Sequence, residues 1–209
     1  MRFLLACATG AVLMTAACSR DLSAPTSFDG VPGFGGPGGV RMSDVCRPPA
    51  PPAEALAWVD SAPALESYCQ TLWVTQGEDQ VLTVRYANVE GGGASSWFLR
   101  LFIPEDAQLV DEMGVAVPEG TRVPITVAIH PSLYAVRFSP HGSRFMGRPA
   151  ILKLNYGWAD VGSRDPGALA VYYQPDDTQE WAREPTVVDR TGHMVCAELR
   201  HFSNYALAW

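Results

Sequence analysis

Lysine is almost missing from this chain: Lys153 is the single lysine among 15 basic residues, and nowhere do basic residues form a block. That excludes nucleic acid as a partner, since neutralised phosphates supply most of such affinity. Long apolar runs are missing too. The longest, Phe3 to Ala17, is shorter than the roughly 20 residues a helix needs to cross a bilayer. There is no H-E-x-x-H, no G-x-S-x-G and no G-x-x-x-x-G-K-[ST] motif, which removes the chemistries those spacings serve. No two of the five cysteines make a C-x-x-C half-site, so no metal site is expected.

The four histidines, His130, His141, His193 and His201, do not repair that lack. A nucleophile mechanism needs a histidine facing a Ser or Cys with a carboxylate behind it. Ser203 follows His201, but residues two apart in a strand point the same way without facing each other. Asp176, Asp177 and Glu180 are too few and too irregularly spaced for a calcium loop and read as a solvated acidic turn. The chain is therefore expected to be non-catalytic, with no cofactor.

What is present is 17 prolines and 19 glycines spread through 209 residues, 47% of which are hydrophobic, with a net charge of −7. Punctuation that dense breaks long helices and favours short strands joined by turns, around a core the apolar fraction can fill.

Residues 1–17 have the layout of an export signal: Arg2, an apolar run, then small residues leading into Cys18. The ending Thr15-Ala16-Ala17-Cys18 is similar to a bacterial lipobox, with Thr15 where leucine is commonest. Cys18 is the expected lipid attachment site, ordinary signal cleavage after Ala17 being the alternative. Acyl chains contribute about 0.8 kcal/mol per buried CH₂, so a lipidated Cys18 anchors the chain to a membrane.

Residues 18–45 are rich in Gly, Pro and Ser and read as a flexible tether, with a span of roughly 30 Å. Gly33, Gly35 and Gly38 satisfy G-x-G-x-x-G by accident: Pro37 sits inside the motif and no strand precedes it. Residues 46–79 form a Pro-rich transitional segment in which Ala53 to Asp60 has room for two helical turns before Pro63. Cys46 and Cys69 bracket much of it. Export permits a disulfide between them, and Cys69 with Cys196 is the rival pairing that spacing alone leaves open.

From Gln80 alternation takes over. Leu82, Val84 and Tyr86 share one face; Trp97, Leu99, Leu101 and Ile103 share another, with Phe98 and Phe102 making that strand apolar on both sides. Glu90 to Ser96 reads as the turn between them, and Pro104 as the end of the second strand. Val123, Ile125, Val127 and Ile129 alternate most clearly, with Pro124 suggesting a sheet edge. Val136 to Trp158 reads as a strand, a Pro and Gly corner, an Arg-rich loop and a second strand. Segments near Val171, Val187, Val195 and Tyr205 continue the pattern. About nine short strands at this spacing predict an all-β body over residues 80–209, an antiparallel β-sandwich behind a flexible lipoprotein leader and linker.

LFIPEDA at Leu101 to Ala107, VPITVAIHP at Val123 to Pro131 and VRFSPHGSRFMGRPAILKLNY at Val136 to Tyr156, in that order, resemble the ZU-five domain. The closing HFSNYALAW is similar to the terminus of ZU-five-like lipoproteins of Gram-negative bacteria, and Asp106 stands where that family commonly has glycine. The resemblance covers Gln80 to the end. It implies a β-sandwich used as a structural or interaction module, as in ankyrins, where it docks cytoskeletal partners, and it implies no catalysis.

Arg144 and Arg148, with Arg137 nearby, are the candidate partner-binding residues. A guanidinium fork reads carboxylates or headgroup phosphates bidentately. The competing reading pairs them internally with Asp106, Asp111 or Glu112. The leading function is thus a membrane-anchored extracytoplasmic structural or interaction protein at the periplasmic face of a bacterial membrane. It would be an extrinsic subunit or scaffold that holds protein partners in a membrane or envelope complex. The alternative is an extracytoplasmic small-ligand or glycan binding module, with Tyr156, Trp158, Tyr172, Tyr173 and Trp181 as a stacking platform; exposure of Trp158 and Trp181 separates the two.

Overall fold

The computed structural model describes residues 45–89 and 96–209. The leader, Cys18, the tether up to residue 44, the glycine motif within it and residues 90–95 of the expected turn lie outside the described residues.

The described chain is all-β. In order, the strands are β1 (Cys69–Thr75), β2 (Gln80–Arg85), β3 (Trp97–Ile103), β4 (Ala107–Val110) and β5 (Arg122–Ile129). Then come β6 (Ala135–Ser139), β7 (Arg144–Gly147), β8 (Ala150–Asn155) and β9 (Ala170–Gln174). The last are β10 (Ala182–Arg183), β11 (Thr186–Asp189), β12 (Met194–Leu199) and β13 (Asn204–Ala208). Six strands form one antiparallel sheet in the order β1-β5-β6-β13-β9-β10, five form another in the order β11-β12-β8-β3-β2, and β4 pairs with β7.

Both large sheets contribute to one hydrophobic core. Val84, Leu99, Leu101, Leu152 and Val195 come from the five-stranded sheet and Ile125, Val127, Val136, Val171 and Leu207 from the six-stranded one. Alternation along each strand selects these residues. β3 is the exception expected from its sequence, since Phe98, with Leu99 and Leu101, is fully buried. Phe138 stacks with Phe202, and Phe145 meets the same ring edge-on, closing the core at the end nearest β7.

Several expectations need correction. Ala53 to Asp60 is not helical. Ala55, Ala57 and Trp58 instead form single antiparallel bridges to Ala208, Leu133 and Ala159. Leu56 donates to the Leu207 carbonyl at 2.8 Å and accepts from the Tyr134 amide at 2.8 Å. A helix this short is marginal by itself, and the extended form both satisfies those groups and buries Leu56. The body also begins before Gln80: β1, placed in the transitional segment by its sequence, is an edge of the six-stranded sheet. The Arg-rich stretch is not a loop but the strand β7.

Pro124 does not mark an edge either, because β5 lies between β1 and β6. Ile129 donates to the Tyr68 carbonyl and Gln76 to the Thr121 carbonyl. Hydrogen-bonded and non-bonded pairs alternate along an antiparallel ladder. Odd-numbered β5 residues therefore bond β1, and Pro124 turns its nitrogen toward β6, which pairs only as far as Thr126. Asp106 does not adopt a positive φ, so its turn has no need of the glycine that stands there in the ZU-five pattern.

Candidate interaction surface

The β4–β7 pair supplies the most distinctive surface. Leu109 and Phe145 are cross-strand partners and both are buried, while Gln108 and Met146, the next pair, face outward. Alternation therefore puts Arg144 and Met146 on the outer face of β7, with Arg148 just beyond its end. Asp111 to Ala116 returns the chain beside β4: Asp111 donates its amide to the Val115 carbonyl, and Ala116 bridges Val110. The Asp111 carboxylate accepts from the amides of Met113 and Val115 at 3.0 and 2.8 Å, fixing a tight turn. That turn and β7 present Met113 at 80% exposure, Val115 at 58% and Met146 at 55%.

The two candidate arginines behave differently. Arg148 pairs with Asp106 at 3.5 Å, both side chains being mostly exposed. Arg144 lies against Gly114 of the turn and has no carboxylate within ion-pairing distance among the described residues. Asp111 accepts both turn amides on Oδ1, and Glu112 packs toward Gly142. On its other side Arg144 bridges His201. Burial holds the His201 imidazole below its ordinary value, and the Arg144 and Arg200 guanidinium groups push it the same way. Three exposed apolar side chains around an acid-free guanidinium are suited to gripping an acidic or phosphate-bearing partner.

Arg137 belongs elsewhere. Its Nε donates to Asn204 Oδ1 at 2.8 Å and its guanidinium pairs with Asp177. Asn204, fully buried, donates in turn to Gln174 Oε1 and Asp177 Oδ1, each at 2.9 Å. This network ties β6, β13 and β9 together and is structural. The neighbouring Asp176 accepts from the Thr178 amide and hydroxyl and from Gln179, as a turn carboxylate does.

Cys46 and Cys69 are bonded, with Cα atoms 5.4 Å apart, and Cys196 is a free, half-buried thiol whose pKa burial pushes up. Among the described residues no cluster of three metal-ligating side chains forms.

The five aromatics of the stacking reading do not meet on one face. Tyr156 is buried and packs on His193, Trp158 is half-buried against Tyr86, and Tyr173 stacks on His201 and Tyr205. Tyr172 donates to the Trp209 carbonyl, and Trp181 is half-buried. Burial pushes the phenols of Tyr86 and Tyr134 well above their ordinary value of 10, so both stay neutral beneath Trp58.

A void lined by Val74, Ile103, Leu109 and Phe145 holds about 10 Å³, far below the few hundred Å³ typical of a ligand pocket. An open depression of about 360 Å³ lies between Gln76, Glu105, Asp106, Gln108 and Glu119, acidic and without an apolar floor.

Sequence reasoning missed Met113, Val115 and Met146. The signal for Met146 was the alternation Arg144, Met146, Arg148 about inward Phe145; the flanking glycines and prolines hid it. No family model, curated protein or solved structure matches the chain.

Proposed function

We propose that this protein is a membrane-anchored, extracytoplasmic structural or interaction protein with no catalytic role, an extrinsic subunit or scaffold that stabilises a membrane or envelope complex. Its body is a ZU-five-like β-sandwich, held at the periplasmic face of a bacterial membrane by acyl chains on Cys18 and the 18–45 tether. The observation that carries this reading is the surface around Arg144, a guanidinium without an acidic partner among the described residues, set among exposed Met113, Val115 and Met146.

The test has two arms. Purification of the native protein in mild detergent should bring down a protein partner, and Arg144→Glu with Arg148→Glu should lose it while leaving the melting temperature unchanged. Retained capture by that variant, or a fall in Tm without loss of capture, retires the surface. In cells, wild type should incorporate labelled palmitate and Cys18→Ala should not; label taken up equally by both removes the anchor.

A further inference from the structure

The outer edge of β1 carries a further interaction. Because even-numbered residues of β1 bond β5, the amides and carbonyls of Cys69, Thr71, Trp73 and Thr75 point away from the sheet. The two ends of this edge are closed. Ser67 Oγ accepts from the Cys69 amide at 3.2 Å and donates to the Cys69 carbonyl at 2.7 Å, while the Thr75 carbonyl accepts from the Glu78 amide at 3.3 Å. Between them, the N–H and C=O groups of Thr71 and Trp73 have no backbone partner among the described residues.

Exposed edges are ordinarily blunted by charge, proline, bulges or short length. The other edges follow that rule. β2 has a register irregularity at Val84 and Arg85, and Glu66 donates to the Arg85 carbonyl over that end. β10 has two residues, and β11 has four and ends at Asp189. β1 follows none of it: Cys-Gln-Thr-Leu-Trp-Val-Thr contains no charge, proline or glycine and keeps unbroken register over seven residues.

We propose that β1 pairs with β1 of a second copy of this chain, antiparallel about a two-fold axis at Leu72. In that register Thr71 faces Trp73 of the other copy, each pair exchanges two hydrogen bonds, and the four groups left open on each edge are all used. The edge fits itself for a specific reason: its closed ends, Cys69 and Thr75, are equidistant from Leu72. A longer strand from another protein would meet no bonding groups at Cys69. Electrostatics favour the same contact, since a chain of net charge −7 repels itself least along a strand with no charge. Outward Thr71 and Trp73 then form a β-branched and aromatic cross-strand pair.

This deepens the reading of the protein as an interaction module and rests on it, but lipid attachment and the Arg144 surface are tested separately. The experiment is sedimentation of the full chain in mild detergent across a dilution series, with amide hydrogen exchange at Thr71 and Trp73. The expected result is a reversible dimer in which those two amides exchange about tenfold more slowly than in the diluted monomer. Thr71→Pro removes an outward N–H and should be monomeric. Trp73→Glu should also be monomeric while remaining folded, because its carboxylate falls beside Arg122, whose guanidinium now covers the Trp73 ring at 5.4 Å. A wild type that stays monomeric overturns the proposal. So does a dimer that survives in folded Trp73→Glu, or protection of the two amides only in complex with a different protein.

Discussion

Trp73 stands opposite Pro124 in the β1–β5 ladder, at a pair that exchanges no hydrogen bond. The proline nitrogen points past the end of β6, so an interior strand accommodates a residue that normally marks an edge. Moving the proline by one residue reverses this. Ile125 is fully buried and its amide lies toward Leu72. Ile125→Pro should therefore cost at least about 3 kcal/mol, whereas Pro124→Ala should stay within about 1 kcal/mol of wild type. Urea unfolding of the two variants checks the pair.

The Cys46–Cys69 bond closes a loop of sequence separation 23 and holds the start of β1 against the preceding segment. Cys46→Ser with Cys69→Ser should lose roughly 3 kcal/mol on the chain-entropy argument, and reductant should destabilise wild type by a similar amount without affecting the double variant. Cys196, half-buried with its thiol pushed up by burial, should react slowly with a thiol reagent until the protein unfolds.

Three arginines that look alike in sequence should differ sharply in their effect on stability. Arg137→Ala removes a side chain only 12% exposed and leaves the buried Asn204 without its Nε donor, while Asp177 is 55% exposed, and should cost about 2 kcal/mol. Arg148→Ala removes an exposed pair with Asp106 and should cost under about 1 kcal/mol. Arg144→Ala, which breaks no ion pair, should fall in the same small range. Thermal or urea unfolding of the three variants would expose any departure from that order.

Stability should fall in two stages as pH drops. Burial holds His130, His141 and His201 below their ordinary 6.5, so the unfolded chain takes up protons first and stability present above pH 6.5 is lost below it. Asp177 follows: burial raises its pKa, but bonds from Asn204 and Arg137 outweigh that and hold it below 3.8. Its contribution persists above pH 3.8 and disappears as pH falls further. Melting temperature measured against pH should show both stages, and His201→Gln should flatten part of the first.

Much of the fold was legible from alternation. β2, β3, β5, β6, β8 and β12 each carry buried residues at every second position, a pattern imposed by the two-residue repeat of a strand. β4, β7 and β10 are too short for that pattern to register. β1 was obscured because its side chains are half-buried on both faces, leaving little contrast.

Composition and local period were enough to read the class of the body, the absence of catalytic motifs and the residues that could fill a core. Tertiary structure decided the rest. It turned Ala53 to Asp60 from a helix into bridges, because Leu207 and Tyr134 offered hydrogen bonds that a short helix could not match. It also separated Arg137 from Arg144 and Arg148, since partners such as Asn204 and Asp177 lie far along the chain and only the sheet order brings them within reach.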